Sequence, residues 1–168
     1  DVQRLLRAPP LDRPPEENQR TERHGCQQQR DGVVVPQDSP GDGSGKRAGR
    51  YDKVHLFDAR VPESEEAYRE SRNTMPGSKP LLIETPWGGL GVAVCYDLRF
   101  PELFRWMSSE GLDVLAVPAA FTYRTGAAHW EPLLRARAIE NLCYVAAAAQ
   151  TGTHPGGRQT YGHSMLID

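Results

Sequence analysis

The sequence predicts an α/β domain over residues 51–168, a sheet with helices packed on a face, preceded by a segment too polar to hold a core. Three observations carry that reading. Every Phe, Tyr and Trp lies at Tyr51 or later. Only ten of the first fifty residues are apolar, against fifty-four of the remaining 118. Beyond Tyr51 the apolar residues fall into runs that read strand, helix, strand, helix, strand.

Residues 1–50 are crowded with Pro, Gln, Gly and Arg, and their one apolar cluster, Val33-Val34-Val35, runs straight into Pro36. Such a composition buries too little surface to offset chain entropy, so the segment is expected to be largely disordered. Leu81-Leu82-Ile83 reads as a short strand, turned by Pro86-Trp87-Gly88-Gly89 into a second strand from Leu90 to Cys95. Pro101 and Glu102 suit the first turn of a helix with Leu103, Phe104, Trp106 and Met107 on its apolar face, and Gly111 suits its end. Leu112 to Val117 is nearly all apolar, as a strand buried on both faces would be. A second helix is expected from about Trp130 to Asn141, with Trp130, Leu133, Leu134 and Ala138 on one face. Strands follow at Cys143–Ala149 and His163–Ile167. The last is barely finished at Asp168, so the domain is expected to be cut short there. No internal repeat is evident.

A net charge of −2 and a pI near 6.2 give no electrostatic reason to expect nucleic acid or an anionic membrane as partner. No apolar run reaches the roughly 18 residues of a membrane span. The first fifteen residues have scattered charges and lack the apolar stretch of a signal peptide. Three widely spaced cysteines, Cys26, Cys95 and Cys143, argue against a disulfide scaffold or zinc site and for reduced thiols in a cytoplasmic protein. His55, His129 and His163 have no metal-ligand spacing and read as packed or hydrogen-bonded, so neither metal nor cofactor is expected. The glycines before Lys46 lack the spacing of a phosphate loop.

Chemistry concentrates around Cys95. The cysteine ends a strand and stands a few residues before a helix, where backbone N–H groups are free to meet an anion. The segment after it, Tyr96-Asp97-Leu98-Arg99-Phe100-Pro101-Glu102, is dense in charge for one flanked by core. Nearby cations favour a thiolate, and backbone donors can hold an oxyanion. A buried small hydrophobe is the competing reading of Cys95. Asp97, Arg99 and Glu102 read as structural ions bracing the turn, and Cys143 as core. Taken alone, Lys53 is a solvated charge and Glu70 an exposed carboxylate in a polar stretch. Glu131 and Arg135, four apart, form a surface ion pair in one reading.

Gly91-Val92-Ala93-Val94-Cys95-Tyr96-Asp97-Leu98-Arg99-Phe100-Pro101-Glu102-Leu103 resembles the nucleophile motif of carbon–nitrogen hydrolases, in the form used by the Nit branch of the nitrilase superfamily. Tyr51 to Asp58 resembles that branch's lysine motif, and Arg69-Glu70-Ser71 with Pro76-Gly77 its second-glutamate motif. Gly126, His129-Trp130-Glu131 and Arg135 to Asn141 are similar to its helix, and Tyr161-Gly162-His163-Ser164-Met165 to a downstream strand. The five motifs stand in the family's order but cover only residues 51–168.

The resemblance implies the C-terminal part of an αββα sandwich of the nitrilase type, acting on small ω-amides, deaminated glutathione among them. It implies Cys95 as nucleophile, Lys53 beside the oxyanion with help from the Tyr96 N–H, and Glu70 keeping the lysine or the attacking water in register. It also puts Glu131 near the site in support, leaving two readings of that residue open. A small amide is the implied partner, and a homodimer or larger homo-oligomer is expected. The family's general base follows an early apolar strand, which residues 1–50 lack. Pro15-Glu16-Glu17 mimics the family's Pro-Glu pair without that strand and is rejected, so weak activity is expected. The rival expectation is an inert fragment or an interaction protein derived from such an enzyme.

Overall fold

The computed structural model describes residues 32–37, 46–60 and 67–168. Cys26 and the Pro15-Glu16-Glu17 triplet lie outside the described residues. The first strand, Gly32–Gln37 (β1), pairs antiparallel with Lys46–Asp52 (β2), with a bulge between Val35 and Pro36. Pro36 lacks an N–H and belongs at a bulge or sheet edge. β2 runs across the position after residue 50 at which the composition changes. Pairing satisfies the backbone of the Val33–Val35 cluster even though its composition is poor in core residues.

A short hairpin of Asp58–Arg60 (β3) with Ala67–Arg69 (β4) follows and ends in a single 3₁₀ turn over Glu70–Arg72. The strands Leu81–Thr85 (β5) and Gly88–Val92 (β6) form the expected hairpin. Gly88 takes φ 110°, a value that suits glycine in so tight a turn. β6 stops at Val92, three residues short of the expected end, because the chain enters a 3₁₀ turn over Cys95–Arg99. Then come Pro101–Ser109 (α1), Leu112–Ala119 (β7), Tyr123–Asn141 (α2) and Tyr144–Ala149 (β8). A hairpin of Thr151–Thr153 (β9) and Gln159–Tyr161 (β10) precedes the last strand, Met165–Ile167 (β11).

The main sheet has five strands in the order β11-β8-β7-β6-β5. β6, β7 and β8 are mutually parallel, as the crossovers through α1 and α2 require, and both edge strands run antiparallel. The two helices pack on each other and on one face of the sheet. There Leu98, Phe104, Met107, Leu115, Val117, Trp130, Leu134 and Val145 are almost wholly buried. Trp106, placed on the apolar face of α1 by its spacing, is instead 44% exposed. β7 is buried on one face, through Leu115, Val117 and Ala119, while Val114, Ala116 and Pro118 are half-buried. The continuous apolar run thus lies in an unevenly covered sheet.

α2 starts seven residues earlier than expected. Thr122 caps it, its hydroxyl accepting from the Thr125 N–H at 3.4 Å. Pro132 in its interior masks the start in sequence, since an interior proline forfeits a helical hydrogen bond at a cost of about 3 kcal/mol. Burial of Trp130 and Leu134 on either side offsets that, at about 1.5–3 kcal/mol for each large apolar side chain.

Candidate active site

A cleft of about 1000 Å³ opens beyond the carboxyl ends of the three parallel strands, where ligands of open α/β sheets bind. β6 contributes Val94 and Cys95 from its continuation, β7 contributes Pro118 to Ala120, and β8 contributes Ala148 to Gln150. Lys53, Glu70, Tyr96, Arg99 and Arg158 complete much of the wall. Cys95, Lys53, Glu70 and Tyr96, singled out in sequence, therefore meet in one place although 43 residues separate the first and last of them (96 − 53).

Cys95 has φ 51°, in the left-handed region that a side chain makes costly. Such a residue persists only where its surroundings over-determine it. Asp97 does this here. It is fully buried, and its Oδ2 accepts from the Val94 N–H at 2.9 Å and from the Tyr51 hydroxyl at 2.8 Å. Its Oδ1 accepts from the His55 N–H at 2.9 Å and lies 2.8 Å from His55 Nδ1. One carboxylate thereby fastens the Cys95 turn to the segment that carries Lys53. Arg137 braces the turn from behind, donating twice to the Leu98 carbonyl at 2.9 and 3.2 Å from a buried position on α2. The expectation that Asp97 is structural holds; Glu102 is exposed.

Lys53 is 3% exposed, and its ammonium donates to both oxygens of Glu70 at 2.6 and 2.8 Å. Glu70 is 22% exposed and also accepts from the Phe57 N–H at 2.5 Å. The buried lysine is thus paired with a carboxylate. Backbone contacts hold the lysine's segment, with the Gly77 N–H donating to the Lys53 carbonyl at 2.8 Å. A Cβ at Gly77 would stand 2.0 Å from the Asp52 carbonyl oxygen, which explains the glycine.

The electrostatics at Cys95 are mixed. Burial pushes its thiol above the ordinary value, and Glu70 and Asp97 add to that, while Lys53 and the Ala120 backbone N–H pull it down. The nearby cation favours the thiolate without outweighing desolvation. Cys143, buried in the core as expected, is pushed up to about 11 by burial and by Asp113 and Glu140. Burial lowers the Arg99 guanidinium, and burial with Arg99 lowers His129, whose Nδ1 lies 3.3 Å from both terminal nitrogens of Arg99.

Glu131 does not join the site. Its side chain is 54% exposed and pairs with Arg135 at 2.8 Å, the surface ion pair of the simpler reading. On a helix whose buried side is set by Trp130 and Leu134, position 131 points outward. Of the three histidines read as packed, His55 stacks on Phe100 at 3.6 Å and His163 on Tyr161 at 3.9 Å. Sequence reasoning missed Arg99 as a cleft residue, the Ala120 donor and Arg158. The legible signal was the end of a buried parallel strand at Pro118-Ala119-Ala120.

A cysteine in a left-handed conformation after a parallel strand thus shares a cleft with a part-buried Lys–Glu pair. The chain belongs to the carbon–nitrogen hydrolase family, whose profile matches residues 37–168. It is 54% identical over 127 residues to a deaminated glutathione amidase of Synechocystis, covering 74% of this chain and 46% of that protein. Its structure resembles the Caenorhabditis elegans NitFhit protein with a TM-score of 0.69 and 51% identity, covering 76% of this chain and 31% of that one. Saccharomyces cerevisiae Nit3, of branch 10 of the nitrilase superfamily, gives 0.65 and 32% over 80% of this chain and 50% of that one. The chain therefore spans about half the length, or less, of the relatives it matches. Among the described residues no helix is long and apolar enough to cross a membrane.

Proposed function

We propose that the protein hydrolyses the carbon–nitrogen bond of a small linear amide through a thioester on Cys95. The carrying observation is the shared cleft of Cys95 with the Lys53–Glu70 pair. Sγ attacks the amide carbonyl carbon and the carbonyl electron pair moves to oxygen. Lys53 opposes the resulting charge as a fixed cation, and the Tyr96 N–H donates to it. The carbon–nitrogen bond breaks and ammonia leaves with a proton. Water then attacks the thioester, releasing the acid and restoring the thiol. Glu70 keeps Lys53 aimed. Deaminated glutathione, carried in the names of relatives, is a candidate substrate. Reducing, cytoplasmic surroundings suit a nucleophilic thiol, and a homodimer or larger homo-oligomer belongs to the same reading, testable by sedimentation velocity.

One observation favours a second reading. Among the described residues Glu70 is the only carboxylate on the cleft, and both its oxygens are engaged by Lys53. No other described cleft residue offers a carboxylate base for the thiol proton, and positioned acid–base catalysis is worth about 10²–10⁴-fold. On this second reading, the described cleft alone makes a slow enzyme or belongs to an inert interaction protein. Incubation with a small ω-amide, acid quench and mass mapping decide between them. Acylated Cys95, with ammonia release lost in Cys95→Ala, supports hydrolysis. An unmodified Cys95, with release no faster than in Cys95→Ala, leaves the inert reading standing.

A further inference from the structure

We infer that Arg137 is a positioning residue for Cys95: from α2 it holds the turn Cys95–Arg99 in the conformation that keeps the thiol beside Lys53. The inference rests on the amide-hydrolase reading of the same cleft and deepens it. Arg137 itself is 5% exposed and lines no part of the cleft, so it acts through the turn rather than on a ligand.

The turn needs holding at both ends. Cys95 takes φ 51°, where a side chain crowds its own backbone, so contacts elsewhere must fix it. Inside the turn the Asp97 N–H donates to the Val94 carbonyl at 3.1 Å and the Phe100 N–H to the Asp97 carbonyl at 3.0 Å. At the amino end the Asp97 side chain accepts from the Val94 N–H. At the carboxyl end the Leu98 carbonyl accepts from Arg137 Nε at 3.2 Å and Nη2 at 2.9 Å. Two donors from one planar group fix a direction as well as a distance.

Arg137 has a fixed mounting of its own. Its Nη1 pairs with Glu140 Oε1 at 2.6 Å, its guanidinium carbon lies 5.1 Å from the Phe104 ring centroid, and the Asn141 side-chain amide donates to its carbonyl at 2.9 Å. α1, which follows the turn, is tied to the same stretch of α2 by Arg105 donating to the Glu140 carbonyl at 2.8 Å. The thiol at the other end of the turn sits among opposed groups. Lys53 and the Ala120 N–H favour its thiolate, and Glu70 and Asp97 oppose it. Each acts over a short range, so the balance depends on where φ 51° places Sγ. Freed from Arg137, the turn can relax toward ordinary helical φ, which rotates Sγ away from the lysine. A residue outside the cleft thereby sets the reactivity of the thiol inside it.

The test reads the pH–rate profile of Cys95 alkylation by iodoacetamide in the 168-residue chain, by mass mapping. Arg137→Gln should move the profile up by about one pH unit, a loss of about tenfold in thiolate at a given pH. Arg137→Lys keeps the charge without the two-pronged fork and should fall between. Leu134→Val, on the same helix and buried in the core, controls for lost packing and should leave the profile in place. Lys53→Met tests the route. If Arg137 acts by keeping Sγ beside the lysine, Arg137→Gln and Lys53→Met together should shift the profile by less than the sum of the two alone. An unchanged profile in Arg137→Gln, an equal shift in Leu134→Val, or a fully additive pair overturns the assignment. Should circular dichroism show Arg137→Gln unfolded, Arg137→Lys decides, an unchanged profile counting against it. Alkylation needs no amide, so these outcomes stand whether or not hydrolysis occurs. Acyl-Cys95 formation from a small ω-amide tests the hydrolase reading separately.

Discussion

Asp97 concentrates the residue-scale physics, because one buried carboxylate serves the Val94 N–H, the Tyr51 hydroxyl and both nitrogens offered by His55. Burial and the neighbouring Asp97 push the Tyr51 phenol far above its ordinary value, so it stays a donor. Asp97→Ala leaves those donors unmet and should destabilise the fold by at least about 3 kcal/mol, read from urea denaturation. A loss below about 1 kcal/mol would count against the clamp. The thiol offers a second test at this scale. Lys53 lowers the Cys95 pKa, so Lys53→Met should raise it further, and the pH–rate profile of alkylation should move to higher pH. Cys143 should remain the slower thiol throughout, since its pKa is pushed up to about 11 and its side chain is buried.

Elements position these residues through a few close approaches. Gly126 lets α2 lie against β10, and a Cβ there would sit 2.3 Å from the Tyr161 Cβ. Neither atom is the free end of a side chain, so Gly126→Ala must push the helix and hairpin apart. The expected cost is about 1–3 kcal/mol, with faster amide hydrogen exchange over 159–161. Unchanged exchange there would mean that the hairpin is held by other contacts. The turn after β4 carries its own pH response. Asp58 accepts from the Ser71 hydroxyl at 2.6 Å and the Ser71 N–H at 3.1 Å, and these bonds hold its carboxyl below the usual range. A depressed carboxylate contributes at neutral pH and loses its contribution as pH falls through the lowered value. The protection of the Ser71 amide, relative to its intrinsic exchange rate, should therefore fall in acid, and Asp58→Asn should remove that pH dependence.

At the scale of the molecule, the sheet is covered unevenly. One face meets α1 and α2, while the alternate residues of β7 stay half-buried. Leu115→Ala should cost about 2–5 kcal/mol, as loss of a fully buried leucine does, and Val114→Ala much less. Equal costs, measured by thermal or urea denaturation, would mean that the second face is covered as well. The same asymmetry bears on function. The cleft lies where the parallel strands end, so it depends on the order β8-β7-β6 and on the crossovers that keep those three strands parallel.

Periodicity and turn chemistry in the sequence determined the β5–β6 hairpin, α1, β7 and β8, since each is a local pattern with its own start and stop residues. The motif around Cys95 likewise pointed to the turn that lines the cleft, and the lysine and glutamate motifs to Lys53 and Glu70. Tertiary structure alone decided the rest. Strand pairing drew Gly32–Gln37 into a hairpin that its composition argues against, because backbone hydrogen bonds do not depend on side-chain polarity. Burial offset Pro132 and let α2 begin at Tyr123. Helix orientation sent Glu131 to the surface, since position along a helix fixes its face only once the partner layer is known. Desolvation set the direction of the Cys95 shift against its nearby cation, and no sequence pattern encodes how much water a folded chain excludes.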